Sequence, residues 1–111
     1  MNQLSLADMI EFNEKRRVKR RVLASDRMIS DLLCYEPGQG TPEHHHIGED
    51  EVFYVVEGRG SITVDGDRIP VEDKSIVFSP EGSKHSISAD EGSRLVIMYV
   101  RSAGHPPTKK D

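Results

Sequence analysis

Three histidines stand side by side as His44, His45 and His46, a fourth, His85, follows 39 residues after His46, and Glu51 lies five residues beyond His46. Side chains alternate faces along an extended strand, so His44 and His46 share one side while His45 points to the other. Gly48 lets the chain turn before Glu51. Two imidazoles on one face with a carboxylate nearby make half to three quarters of a first-row metal site. The missing ligand has to come from elsewhere. His85 opens a strand-like stretch just after Pro80-Glu81-Gly82, and a closed set of strands would let it face the other three across an interior.

The elements that must position these residues are short and alternating. Strands are predicted over 18–24, 28–36, 51–57, 61–65, 68–72, 75–79, 84–89 and 94–101. Asp65-Gly66 is a tight-hairpin signal. Residues 37–42, with two prolines and two glycines, are predicted as a loop. Ser5-Leu6-Ala7-Asp8 reads as a capping box opening a short helix to about Glu14, with Leu6, Met9 and Ile10 on one side. The last stretch, 102–111, reads as a flexible tail in which His105 is solvated. Strands at roughly ten-residue spacing with turns between them argue an all-β sandwich or barrel.

Bulk properties bound the rest. A chain of 111 residues is expected to form one domain. With 31% charged residues and a mean hydropathy of −0.56 it suits water, and no apolar run approaches the roughly 20 residues of a membrane span. Neither a signal peptide nor a disulfide is indicated, since Cys34 is the single cysteine, so a cytoplasmic protein with no membrane partner is expected. Residues 11–21 carry six basic and two acidic side chains against nine and sixteen over 22–111. Two readings of 15–21 compete, a nucleic-acid patch and a solvated strand edge. The edge is preferred and no nucleic-acid partner is expected, because no base-stacking aromatics accompany the cluster.

Period two places Phe53 and Val55 with Glu51, and Ile87 with His85, as an apolar wall around the site. Cys34 is expected to pack rather than react. Nothing in the sequence ranks Tyr35, Tyr54 or Tyr99 as donors. Glu43, Glu49 and Asp50 are expected to favour cations near the site and disfavour anionic substrates.

The histidine stretch resembles the first motif of the cupin superfamily: Gly, five residues, His-x-His, three or four residues, Glu, six residues, Gly. It reads here as Gly38, His44, His46, Glu51 and Gly58. The second motif, usually Gly, five residues, Pro-x-Gly, two residues, His, three residues, Asn, reads Lys74, Pro80, Gly82, His85 and Ala89, with 15 residues between the motifs. The chain departs from the pattern at Lys74 and Ala89, neither of which is a ligand position. The resemblance, over about residues 28–101, implies a cupin-type double-stranded β-helix, a jelly-roll barrel, with the short N-terminal helix packed on it. The expected organisation is 1–14 helix, 15–101 barrel and 102–111 tail. It implies His44, His46, Glu51 and His85 as ligands of one divalent transition metal ion (Mn, Fe, Ni, Cu or Zn), and a homodimer. The implied function is action on a small organic molecule in the barrel mouth, of isomerase, lyase or dioxygenase type; the alternative is a non-catalytic ligand-binding or sensing module. No general acid or base is assigned.

Overall fold

A computed structural model of the chain describes residues 3–102. His105 and the remainder of the expected tail lie outside the described residues. Nine strands follow in order: β1 (Val18–Ala24), β2 (Met28–Tyr35), β3 (Gly40–His45), β4 (Glu51–Gly58), β5 (Gly60–Val64), β6 (Asp67–Val71), β7 (Ile76–Ser79), β8 (Lys84–Ala89) and β9 (Leu95–Ser102). They form two antiparallel sheets, ordered β1-β2-β9-β4-β7 and β3-β8-β5-β6. The all-β architecture agrees with the strand spacing, and Ser102 closes β9 rather than opening a tail.

Alternation sorts the core. Tyr35, Phe53, Val55, Ile62, Leu95 and Ile97 meet between the sheets. Strand β2 is buried on both faces, because Leu32 and Cys34, with Val96, form a second apolar cluster on the outside of the larger sheet. Leu6, Met9, Ile10 and Phe12 cover that cluster. Cys34 is buried there, and burial raises its thiol pKa, as expected for a packed cysteine.

That cover explains a correction. The helix expected to Glu14 is a single 3-10 turn, Leu6–Asp8, and Ser5 makes no side-chain cap. A helix of about ten residues has little stability of its own. Here a mostly irregular segment lays its apolar side chains along two strands, and that packing decides the local structure.

The loop expected over 37–42 is also shorter than predicted. Gly40, Thr41 and Pro42 belong to β3. The strand lies at a sheet edge, and its pairing with β8 shifts register between Thr41 and His44. An edge and a bulge are where a sheet tolerates proline, which has no N–H to donate.

Gly58 has φ +99°, and a Cβ there would lie 1.9 Å from the Arg94 carbonyl oxygen, so only glycine fits. Lys74, in the place of the second motif's usual glycine, keeps a left-handed backbone at φ +69°. The left-handed region costs a non-glycine residue roughly 1–2 kcal/mol, and glycine's greater chain entropy offsets roughly 0.5–1 kcal/mol of the gain. Lys74→Gly should therefore stabilise the protein by up to about 1 kcal/mol in urea unfolding; a loss of stability would show that the lysine side chain contributes more than its backbone costs.

Candidate metal centre

The pairing of β3 with β8 sets His44 directly opposite His85. Their rings meet edge-on, with Nε2 of each 3.1 Å apart. His46 follows the last residue of β3, half-buried like His44, whereas His45 between them is exposed. Glu51 opens β4 opposite Ser79 of β7 and Arg101 of β9. Its Oε1 lies 3.6 Å from His85 Nε2 and 3.9 Å from His46 Nε2. One ring nitrogen from each of His44, His46 and His85 falls within a 4.8 Å cluster.

Outer contacts fix which nitrogens face inward. His44 Nδ1 is 2.9 Å from the Pro42 carbonyl, which can only accept, so Nδ1 carries the proton and Nε2 keeps its lone pair. His46 Nδ1 faces Glu49 Oε1 at 3.5 Å, which turns its Nε2 toward Glu51. His85 Nδ1 is 3.2 Å from Ser79 Oγ, a hydroxyl able to accept its N–H and so leave Nε2 free. Burial, helped by the neighbouring histidines, lowers the His85 pKa to about 4. Burial and then Arg101 lower that of His46. Both are neutral near pH 7, the form that binds metals. Burial raises the Glu51 carboxyl to about 7, against the opposing pull of Arg101.

These residues fit a metal ion. Two ligands bonded at about 2.1 Å and set at right angles stand about 3.0 Å apart, close to the spacing of His44 and His85. Three neutral imidazoles and a carboxylate that gains by losing its proton form a first-row donor set.

The cluster lies in a cavity of about 370 Å³ that also presents Leu33, Phe53 and Ile87. The Phe53 ring stands edge-on to His85 at 5.2 Å between centroids. Val55, expected on the same wall, is buried in the core between the sheets and does not line the cavity. Reasoning from the sequence missed Arg17, Lys19, Thr41 and Arg101 and left Tyr99 unranked, and all five do. Asp31 lies behind them, buried, accepting hydrogen bonds from Arg21 (2.7 Å) and the Tyr99 hydroxyl. Burial first, and then Asp31, raises the Tyr99 pKa, so the phenol keeps its proton. Tyr35 is also held up, to about 12, by burial, with its hydroxyl 2.7 Å from Thr41 Oγ1.

Of the loop acids expected to disfavour anions, Glu43 lines the cavity and the other two have partners. Glu49 is tied to Arg101 at 2.7 Å and Asp50 accepts the Glu81 N–H at 2.9 Å. The cavity itself shows three cationic side chains, Arg17, Lys19 and Arg101, against Glu43 and Glu51. Lys19, Arg20 and Arg21 of the basic cluster lie on an edge strand, since β1 ends its sheet, and the other three precede it. Arg17 donates to Thr41 at 2.9 Å, and Arg21, itself half exposed, pairs with Asp31. A period-two count over 17, 19 and 21 is the signal that identifies them. No described helix is long and apolar enough to cross a membrane.

Comparison with known proteins agrees with this architecture. Residues 31–101 match the cupin domain family. The "Polyketide synthase CurC" of Streptomyces cyaneus is 30% identical over 105 residues, 87% of this chain and 68% of that protein. The "Oxalate-binding protein" of Thermotoga maritima is 33% identical over 64 residues, covering 58% and 53%. The crystal structure of TT1209 from Thermus thermophilus superposes with a TM-score of 0.87 at 27% identity, over 92% of this chain and 97% of that one. Across the matched curated relatives the chain spans from 18 to 68% of their length.

Proposed function

Because the chain belongs to the cupin family and has its barrel fold, we propose that it is a metal-dependent cupin acting on a small organic molecule in the cavity, with His44, His46, His85 and Glu51 as ligands. The observation that carries this reading is the convergence of three ring nitrogens within 4.8 Å in the wall of a cavity of about 370 Å³. A bound divalent ion there supplies a Lewis acid that polarises an oxygen of the molecule it meets. The chain's own residues do the rest. Pro42, Glu49 and Ser79 hold the three rings with Nε2 inward. Leu33, Phe53 and Ile87 shield one side from water and set the molecule's orientation. The names of two relatives, a polyketide synthase and an oxalate-binding protein, support a small organic ligand. A homodimer is part of the same proposal, supported by exposed Ile76 and Phe78 on the edge strand β7.

Proton counting during metal uptake tests the ligand set. With its carboxyl raised to about 7, Glu51 is protonated in most metal-free molecules at pH 6 and ionised in most at pH 8. Metal holds the carboxylate form, so binding expels the Glu51 proton at pH 6 and has none to expel at pH 8. His85, already neutral at both pH values, adds nothing. Zinc titrations in buffers of different ionisation enthalpy should show more protons released at pH 6 than at pH 8, and Glu51→Gln should shrink the difference. A release independent of pH in the unaltered protein would exclude Glu51 as a ligand. Azide added to the Co(II) form should perturb its visible spectrum if ligand positions are open to the cavity. An unperturbed spectrum would mark a closed, structural site.

A further inference from the structure

The loop over 46–50 delivers two of the four candidate ligands, His46 at its start and Glu51 just past its end, and the end of β9 fastens it. Ser102 Oγ accepts the Asp50 N–H at 3.1 Å, and the Ser102 N–H donates to the Asp50 carbonyl at 3.1 Å. Arg101 makes a different kind of contact. Its Nη1 donates to Glu49 Oε1 at 2.7 Å, and that same oxygen faces His46 Nδ1 at 3.5 Å. Guanidinium, carboxylate and imidazole are thus joined through one oxygen atom. The Arg101 and Glu49 side chains are only 16% and 14% exposed, so water cannot readily take the place of either partner.

His46 differs here from the other two rings. His44 Nδ1 leans on a backbone carbonyl of its own strand, and His85 Nδ1 on Ser79, which is buried. The acceptor for His46 is a loop carboxylate, which needs an anchor of its own. We propose that Arg101 is a positioning residue of the metal centre: it holds the Glu49 carboxylate against His46 Nδ1, and so keeps the His46 Nε2 lone pair turned to the ion. A neutral imidazole carries one proton, and without an outer contact that proton favours Nε2, where a metal needs the lone pair. A carboxylate oxygen can only accept, so Glu49 draws the proton to Nδ1. Without Arg101, Glu49 is a largely shielded charge with no cation beside it, and it turns outward to be solvated. His46 then loses the contact that selects its tautomer.

The inference rests on the reading of His46 as a ligand, yet it fails separately from that reading, because the tautomer is observed in the full chain without metal. Ring nitrogen NMR shifts at pH 8 should place the His46 proton chiefly on Nδ1. Arg101→Met and Glu49→Ala should each move it chiefly to Nε2 and weaken zinc binding by about tenfold. Arg101→Lys, which keeps a cation for Glu49, should retain the Nδ1–H form. Ser102→Ala loosens the same loop outside this line of contacts and should leave the tautomer unchanged. With Glu49 already replaced, Arg101→Met should have little further effect on either readout. A proton chiefly on Nε2 in the unaltered protein, a tautomer indifferent to Arg101→Met, or the same shift in Ser102→Ala would overturn the positioning role. Failure of the unaltered protein to take up zinc, with the Nδ1–H form present and lost in Arg101→Met, would instead remove the metal reading and leave the hold of Arg101 on the ring standing.

Discussion

Replacing His44, His46 or His85 with alanine should lower transition-metal affinity by roughly a hundredfold or more, while His45→Ala should change it by less than about threefold. The contrast comes from one stretch of backbone. His44 and His46 turn toward the cavity, and exposed His45 between them turns away. Removing a group that merely orients a ligand typically costs 10–100-fold, so removing a ligand should cost at least that much. His85 should be the most sensitive of the three. Its ring is 2% exposed, and water cannot readily replace it. Glu51→Gln should fall between the extremes, since an amide keeps a carbonyl oxygen but loses the charge. Because His85→Ala also opens a hole beside Phe53, its thermal unfolding should be measured alongside a chelator-competition titration. His44→Ala, at a half-buried edge position, gives the same test with less damage to the fold. Loss of metal from His45→Ala, with retention in His44→Ala or His46→Ala, would reverse the assignment of faces.

That prediction could be framed from the sequence because the His-x-His pair needs only local geometry. Two residues apart on extended chain is one face, whatever the rest of the fold does. Pairing with His85 needed more, namely that β8 lie beside β3, and the family resemblance supplied it. Residues without a motif were harder to place. Tyr99 and Asp31 sit opposite each other in β9 and β2, 68 positions apart in sequence, and no short-range pattern ties them. Arg17 lies 24 positions from Thr41, in the other sheet. Val55 shows the limit of counting by twos: it shares the inward side of β4 with Phe53, but lies in the core between the sheets and outside the cavity. The N-terminal segment fails for a related reason. Its spacing of Leu6, Met9 and Ile10 fits a helix, yet the patch it covers is made by Leu32 and Cys34 of β2 with Val96 of β9, and Phe12 joins the cover. Tertiary packing overrode a weak local preference.

Asp31→Ala should destabilise the protein by about 3 kcal/mol or more, an effect expected of a buried ion-pair partner rather than of a surface charge. Asp31 is 1% exposed in the middle strand of three, opposite Arg21 of β1 on one side and Tyr99 of β9 on the other. One oxygen accepts from Arg21 Nε at 2.7 Å and the other from the Tyr99 hydroxyl. Truncation leaves that hydroxyl buried without its acceptor, which alone costs roughly 1–3 kcal/mol, and removes the volume of the carboxylate. Arg21 loses less, because its side chain is half exposed and water can replace Asp31. For a domain of about this size each kcal/mol lowers Tm by roughly 4–8 °C, so the fall should exceed ten degrees or so. Tyr99→Phe removes the donor but leaves Asp31 paired with Arg21, and should cost about 1–2 kcal/mol. The double variant separates a working pair from two unrelated losses. With the hydroxyl already gone, Asp31→Ala no longer strands it, so the combined cost should fall short of the sum by about 1 kcal/mol or more. Urea unfolding of the two single variants and the double would measure this directly. A cost under about 1 kcal/mol for Asp31→Ala, or additive losses, would mean that water satisfies Tyr99 and that the pair does not hold this wall of the cavity in place.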